Sequence, residues 1–153
     1  MRRLGTQISL VLVFAFAATG WGSAVARNDD AALRTVHRQG RFSNGVGKGS
    51  PPGPSAIQRA FTSLVRHRKK GDFLALTSSE ESAERLYGLC GLKHLNAPEY
   101  ADVQHRLADD RGAASGSVGC IEVDDTVGGM LAHEYGKSGR TKFDMICSAL
   151  VVR

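Results

Sequence analysis

Apolar residues return at helical spacing along most of the second half of the chain. Ile57, Ala60, Phe61, Leu64 and Val65 fall at i, i+3, i+4, i+7 and i+8, one stripe of an amphipathic helix. Arg66, His67, Arg68, Lys69 and Lys70 follow it, where the negative end of the helix dipole favours cations, and Gly71 is placed to cap the end. Asp72 can start a short helix through Phe73, Leu74 and Leu76. Ser78 with Glu81 three residues on forms a capping-box pattern. The helix it introduces holds Ala83, Leu86, Tyr87, Leu89, Cys90, Leu92 and Leu95, which predicts neighbours on more than one side. Gly88 and Gly91 each cost that helix about 1 kcal/mol relative to alanine. Close approach of another helix would offset this.

Asn96 is placed to cap the next helix, with Pro98 in its first turn and Glu99 three residues after the cap. Tyr100, Val103 and Leu107 form its inner stripe, and Asp109-Asp110-Arg111-Gly112 ends it. Residues 78–112 thus read as an antiparallel helical hairpin. Ser117 to Val123 (SVGCIEV) is ambiguous between a strand and a helical turn. Asp124 or Asp125 caps a helix carrying Val127, Met130, Leu131 and Tyr135, and Thr141 opens a last one with Phe143, Ile146, Cys147, Leu150 and Val151.

Serial helical hairpins of this length resemble HEAT-type repeats, with residues 84–92 as the inner strip of small side chains. The resemblance implies a binding surface. The fold class expected is all-α, a small helical-hairpin, HEAT-like bundle.

The first residues have a different pattern. Arg2 and Arg3 precede an uncharged apolar run, Ile8 to Ala18, and Ala24-Val25-Ala26 has the small-x-small form of a signal-peptidase site. The run is too short for a membrane span, which needs about 20 apolar residues. The expectation is a cleavable signal peptide over 1–26, secretion or a periplasmic location, and no transmembrane span in the mature chain. Residues 27–53 hold five glycines and Pro51 and Pro52 without a sustained apolar pattern, and read as a flexible arm ahead of a helical domain over 54–153.

Charge sharpens this division. The net charge of +5 combines ten Lys/Arg and two acids in residues 27–71 with eight Lys/Arg and thirteen acids in residues 72–153. A basic arm can fold back on an acidic body or face an anionic surface. Arg66, Arg68, Lys69 and Lys70 are the residues expected to meet such a surface. The partner expected is a protein or an anionic envelope component; export argues against nucleic acid.

Candidate chemistry is sparse. Cys90, Cys120 and Cys147 are odd in number for an oxidising compartment. Cys90 sits mid-helix among apolar residues, so the pairing expected is Cys120–Cys147. His94 lies one turn after Cys90, close enough for a thiol–imidazole contact. Gly45 to Ser50 lacks the spacing of a phosphate loop, and His133-Glu134 lacks the second histidine of a zinc-protease helix. No catalytic residue, cofactor or metal ligand is assigned. The functions that remain are an exported, non-catalytic protein that binds a macromolecule or an envelope component, a basic-arm binder of anionic polymer or membrane, and a small secreted hydrolase with a dispersed site such as Glu122 with Asp144.

Overall fold

The computed structural model describes residues 21–152. The order is α1 (Trp21–His37), β1 (Phe42–Ser43), α2 (Ala56–Arg66), α3 (Lys70–Leu76), α4 (Ser82–His94), α5 (Tyr100–Ala108), β2 (Ala113–Val118), β3 (Ile121–Thr126), α6 (Val127–Ala132) and α7 (Lys142–Ser148). This corrects the all-α expectation. α4 and α5 follow one another within 78–112, but the chain then leaves the helical pattern. Residues 113–126 instead form a β-hairpin, and β1 joins it in a mixed sheet of order β1-β2-β3. β1 runs parallel to β2, and β2 antiparallel to β3.

The strand Ala113–Val118 (AASGSV) has almost no apolar side chains to announce it. Its place is set by what packs on it. Gly116 is in register with Phe42 on one side and Val123 on the other. A Cβ at Gly116 would fall 2.6 Å from Ile146 Cδ1 and 2.7 Å from the carbonyl oxygen of Phe42, so the missing side chain lets α7 and β1 close on the strand. The β2–β3 hairpin turns through Gly119 and Cys120. Gly119 has φ 59°, and Cys120 is not among the positive-φ residues. Glycine at the first of two turn positions is the type II′ pattern that suits the twist of hairpin strands.

α4 is the axis of the core, as its wide apolar coverage predicts, with Leu86, Tyr87, Leu89, Cys90 and Leu92 fully enclosed. Its glycines admit α3: a Cβ at Gly91 would overlap the Phe73 ring, and one at Gly88 would lie 2.6 Å from Phe73 O. Phe42 from β1 meets Tyr87 edge to face at 5.1 Å between centroids and stacks on Phe143 at 5.6 Å. The Tyr87 hydroxyl accepts from the Ser43 N–H at 2.9 Å and lies 2.8 Å from Ser43 O as a donor. Burial pushes its phenol pKa upward, so it stays a neutral donor.

The expected flexible arm is also corrected, because much of it is built into this core. Asp29, Ala32, Val36, Phe42, Ser43 and Asn44 are buried, and α1 packs on α2. The stretch from Gly45 to Pro54 keeps the largely exposed, turn-rich character read from its glycines and prolines. Residues 1–20 of the expected leader lie outside the described residues, and α1 runs through the expected cleavage point between Ala26 and Arg27.

Helix ends differ from the sequence pattern in an instructive way. α2 stops at its C-cap His67, and Arg68 takes the left-handed conformation at φ 52°, while Gly71 lies inside α3. Lys69 N–H donates to Leu64 O and Arg68 N–H to Val65 O, the paired bonds of a Schellman motif. α4 ends the same way. Asn96, expected to start α5, sits at φ 49° and closes α4 through Asn96 N–H to Lys93 O and Ala97 N–H to Leu92 O. Among starts, Ser55 with Gln58 forms a full capping box on α2, and Thr126 and Thr141 cap α6 and α7. Glu81, not Ser78, precedes α4, and no side chain caps it.

Candidate functional site

β3 forms one edge of the sheet, since the order β1-β2-β3 leaves its far side without a strand. In a two-residue hairpin the flanking pair, Val118 with Ile121, exchanges both ladder bonds, and bonded pairs then recur at every second residue. Gly116–Val123 and Ala114–Asp125 are therefore bonded, and the N–H groups of Glu122 and Asp124 point away from the sheet. The ladder's neighbours agree with this phase. Ser117, opposite Glu122, uses its carbonyl to accept from Asn44 N–H on the β1 side at 3.3 Å. Val127 N–H donates to Gly112 O at 2.9 Å, continuing the series.

The side chains beside this edge are mainly acidic. Glu122 and Asp124 project from the exposed face of β3. Next to them, Glu80 and Glu81 of the α3–α4 loop line a cleft of about 300 Å³ together with Ser82, Ala113, Ser115 and Asp124. Among the described residues, Glu80, Glu81 and Asp124 make no ion pair, while Glu122 meets Arg41 at 3.2 Å. Ile121, at the hairpin end of the same strand, is the one exposed large hydrophobic side chain among the described residues.

At the other end of β3 the charge is neutralised. Asp125 accepts from Lys142 Nζ at 2.5 Å, from His133 Nδ1 at 2.8 Å and from Thr126 N–H at 2.8 Å. Burial would raise the pKa of this carboxyl, but these donors outweigh it and hold it at about 2. Asp125 thus ties β3 to the starts of α6 and α7, and Gly129 is side-chain-free because a Cβ there would overlap the carboxylate. His133, weighed in the sequence as a fragment of a zinc helix, is spent on this contact.

The basic cluster expected to face an anionic surface is divided. Lys69 pairs with buried Asp29 at 3.0 Å and Lys70 with Glu99 at 2.7 Å, leaving Arg66 and Arg68 without an ion pair among the described residues. His67 Nδ1 also reaches Asp29, at 2.6 Å. Burial of Asp29 is outweighed by His67 and Lys69, so its carboxyl lies below the ordinary range. A second such pair, His37 Nδ1 to buried Glu84 Oε1 at 2.7 Å, fixes the far end of α1. Lys69 and two histidines therefore dock α1, while Lys70 holds the start of α5.

The cysteines pair differently from the expectation. The bridge joins Cys90 to Cys147, with Cα atoms 5.6 Å apart, and Cys120 is the exposed free thiol in the hairpin turn. The reason is packing. α7 lies against α4, which brings Cys147 onto the buried face that carries Cys90, whereas the type II′ turn holds Cys120 at the surface. The disulfide is compatible with an oxidising, exported location. No helix among the described residues is long and apolar enough to cross a membrane. The hydrolase pair weighed in the sequence is not assembled as a pair: Glu122 meets Arg41, and Asp144 meets Lys93. No protein-family model, curated protein or solved structure matches this chain.

Proposed function

We propose that this is an exported, non-catalytic binding protein that takes an extended, basic segment of a protein partner along the open edge of β3. The observation that carries the reading is the pair of outward N–H groups at Glu122 and Asp124 on a six-residue edge strand. An extended segment can add to such an edge through main-chain bonds, with side-chain pockets supplying selectivity. Charge chooses the occupant. Glu122 and Asp124 on the strand, with Glu80 and Glu81 across the cleft, would oppose a second copy of the same edge. They would draw a Lys/Arg-bearing strand instead. The leader sequence and the disulfide support an exported setting for this encounter.

The test uses an extended peptide of alternating Lys and Val as probe, measured by calorimetry at low and physiological salt. Binding is expected to weaken as salt rises, because exposed charges are screened over about 8–10 Å at physiological ionic strength. Glu122→Pro removes an outward N–H without touching the β2 ladder, and is expected to weaken binding well beyond the charge-only variant Glu122→Gln. Equal losses in the two variants would reduce the edge to a charge effect and overturn strand addition. A Glu/Val peptide binding as well as the Lys/Val one would overturn the basic partner.

A further inference from the structure

We propose that Cys90, Cys147 and His94 form a zinc-type metal site when the Cys90–Cys147 disulfide is reduced. The two sulfurs and a His94 ring nitrogen all lie within 4.8 Å of one another. Two thiolates and an imidazole are the donor set that tetrahedral Zn²⁺ favours.

The scaffold holds these groups for reasons the sequence states. Cys90 and His94 are four residues apart on α4, so they share one face of that helix. Cys147 arrives from α7, whose Thr141 cap and buried Phe143 and Ile146 set its position. Replacing the S–S bond by two Zn–S bonds of about 2.3 Å needs the sulfurs to separate to about 3.8 Å, a side-chain movement between Cα atoms already 5.6 Å apart. His94 is oriented by the α7 backbone at the site itself. Its Nε2 lies 3.1 Å from Cys147 O, so the backbone of α7 holds the ring beside the sulfurs. The ring also meets Phe61 edge to face at 6.1 Å.

Access and a fourth position come from the surface. A cavity of about 540 Å³ opens beside the bridge, lined by His94, Cys147 and Asp144 among others. Water entering from this cavity can complete the shell.

The chemistry balances with a dithiol reductant. Its two thiols give up two electrons and two protons and close into a disulfide. The Cys90–Cys147 bond breaks, and each sulfur receives one electron and one proton. Zn²⁺ then displaces the two thiol protons to solvent and binds both thiolates. The link between α4 and α7 is kept in either state, by a covalent bond when oxidised and by a metal when reduced.

The test uses the whole chain carrying Cys120→Ser, so that only the two paired cysteines report. Co²⁺ is added to the oxidised protein and to protein reduced by a water-soluble phosphine without oxygen, with circular dichroism recorded on each sample. Expected are thiolate-to-cobalt absorption at one equivalent in the reduced protein alone, loss of that band on adding Zn²⁺, and at least tenfold weaker binding in His94→Ala. Absence of the band from reduced protein would overturn the site. So would equal affinity in His94→Ala, or equal affinity in urea, which would assign the ligands to an unfolded chain.

Discussion

Gly91 of α4 lies so close beneath the ring of Phe73 of α3 that a single added carbon would overlap it. Helix propensity and packing therefore pull this position in opposite directions. Alanine would gain about 1 kcal/mol of propensity, but overpacking of a closed core costs about 1–3 kcal/mol.

Gly91→Ala is accordingly expected to destabilise the protein, by about 1–2 kcal/mol, in urea unfolding. Gly40→Ala, where nothing lies within 4 Å of the new carbon, is expected to be neutral or slightly stabilising. A more stable Gly91→Ala protein would show that α3 is not seated on α4 as described.

Residues 27–53 give a larger contrast. As a flexible arm they would be dispensable for folding, and their loss would matter only for binding to an anionic surface. In the structure Val36 and Phe42 are fully buried, and Phe42 stacks on Phe143 with Tyr87 edge to face against it. Deleting 27–53 is expected to abolish the cooperative unfolding transition. Phe42→Ala alone should cost about 3–5 kcal/mol. A deletion that still unfolds cooperatively at an unchanged midpoint would return this segment to the status of a linker.

These outcomes mark what could be read from the sequence. The stripe Ile57, Ala60, Phe61 and Leu64 announced α2, and the broad coverage around Gly88 and Gly91 announced a central helix with close neighbours, because helical burial leaves a periodic trace. The sheet left almost none. β1 is two residues long, β2 is AASGSV, and each is placed by partners distant in sequence, Phe42 by Tyr87 and Gly116 by Ile146. Helix ends leave no sequence mark where a non-glycine residue, Arg68 or Asn96, adopts the left-handed turn that glycine usually supplies. The candidate edge could not be seen at all, since an unpaired strand side exists only once the strand order is known.

Acid should weaken the fold through two carboxylates. Asp125, and in the same direction Asp29, titrate below their ordinary values because cations and N–H donors face them in the folded chain. The unfolded chain therefore binds protons first as pH falls. The stabilisation is fully present above the unfolded value of 3.8 and is lost between there and about 2 for Asp125. Urea midpoints are expected to fall across this window, and Asp125→Asn should flatten part of the slope while lowering stability at neutral pH. A slope unchanged in Asp125→Asn would remove this carboxylate as a source of acid sensitivity.

The disulfide makes the sharpest statement about connectivity. Cys90–Cys147 spans a sequence separation of 57 and closes the chain around α5, the hairpin and α6, so its loss frees a long unfolded loop. Chain entropy puts the stabilisation at about 4 kcal/mol, within the range of about 2–5 kcal/mol found for native bridges in small secreted domains. Cys147→Ala should therefore lower stability by several kcal/mol, whereas Cys120→Ser, at an exposed turn, should change it by no more than about 0.5 kcal/mol. Non-reducing peptide mapping is expected to link the peptides carrying Cys90 and Cys147 and to find Cys120 open to alkylation in the folded protein. A Cys120–Cys147 link would mean that the hairpin turn reaches α7, and the packing of α7 on α4 given above would be wrong.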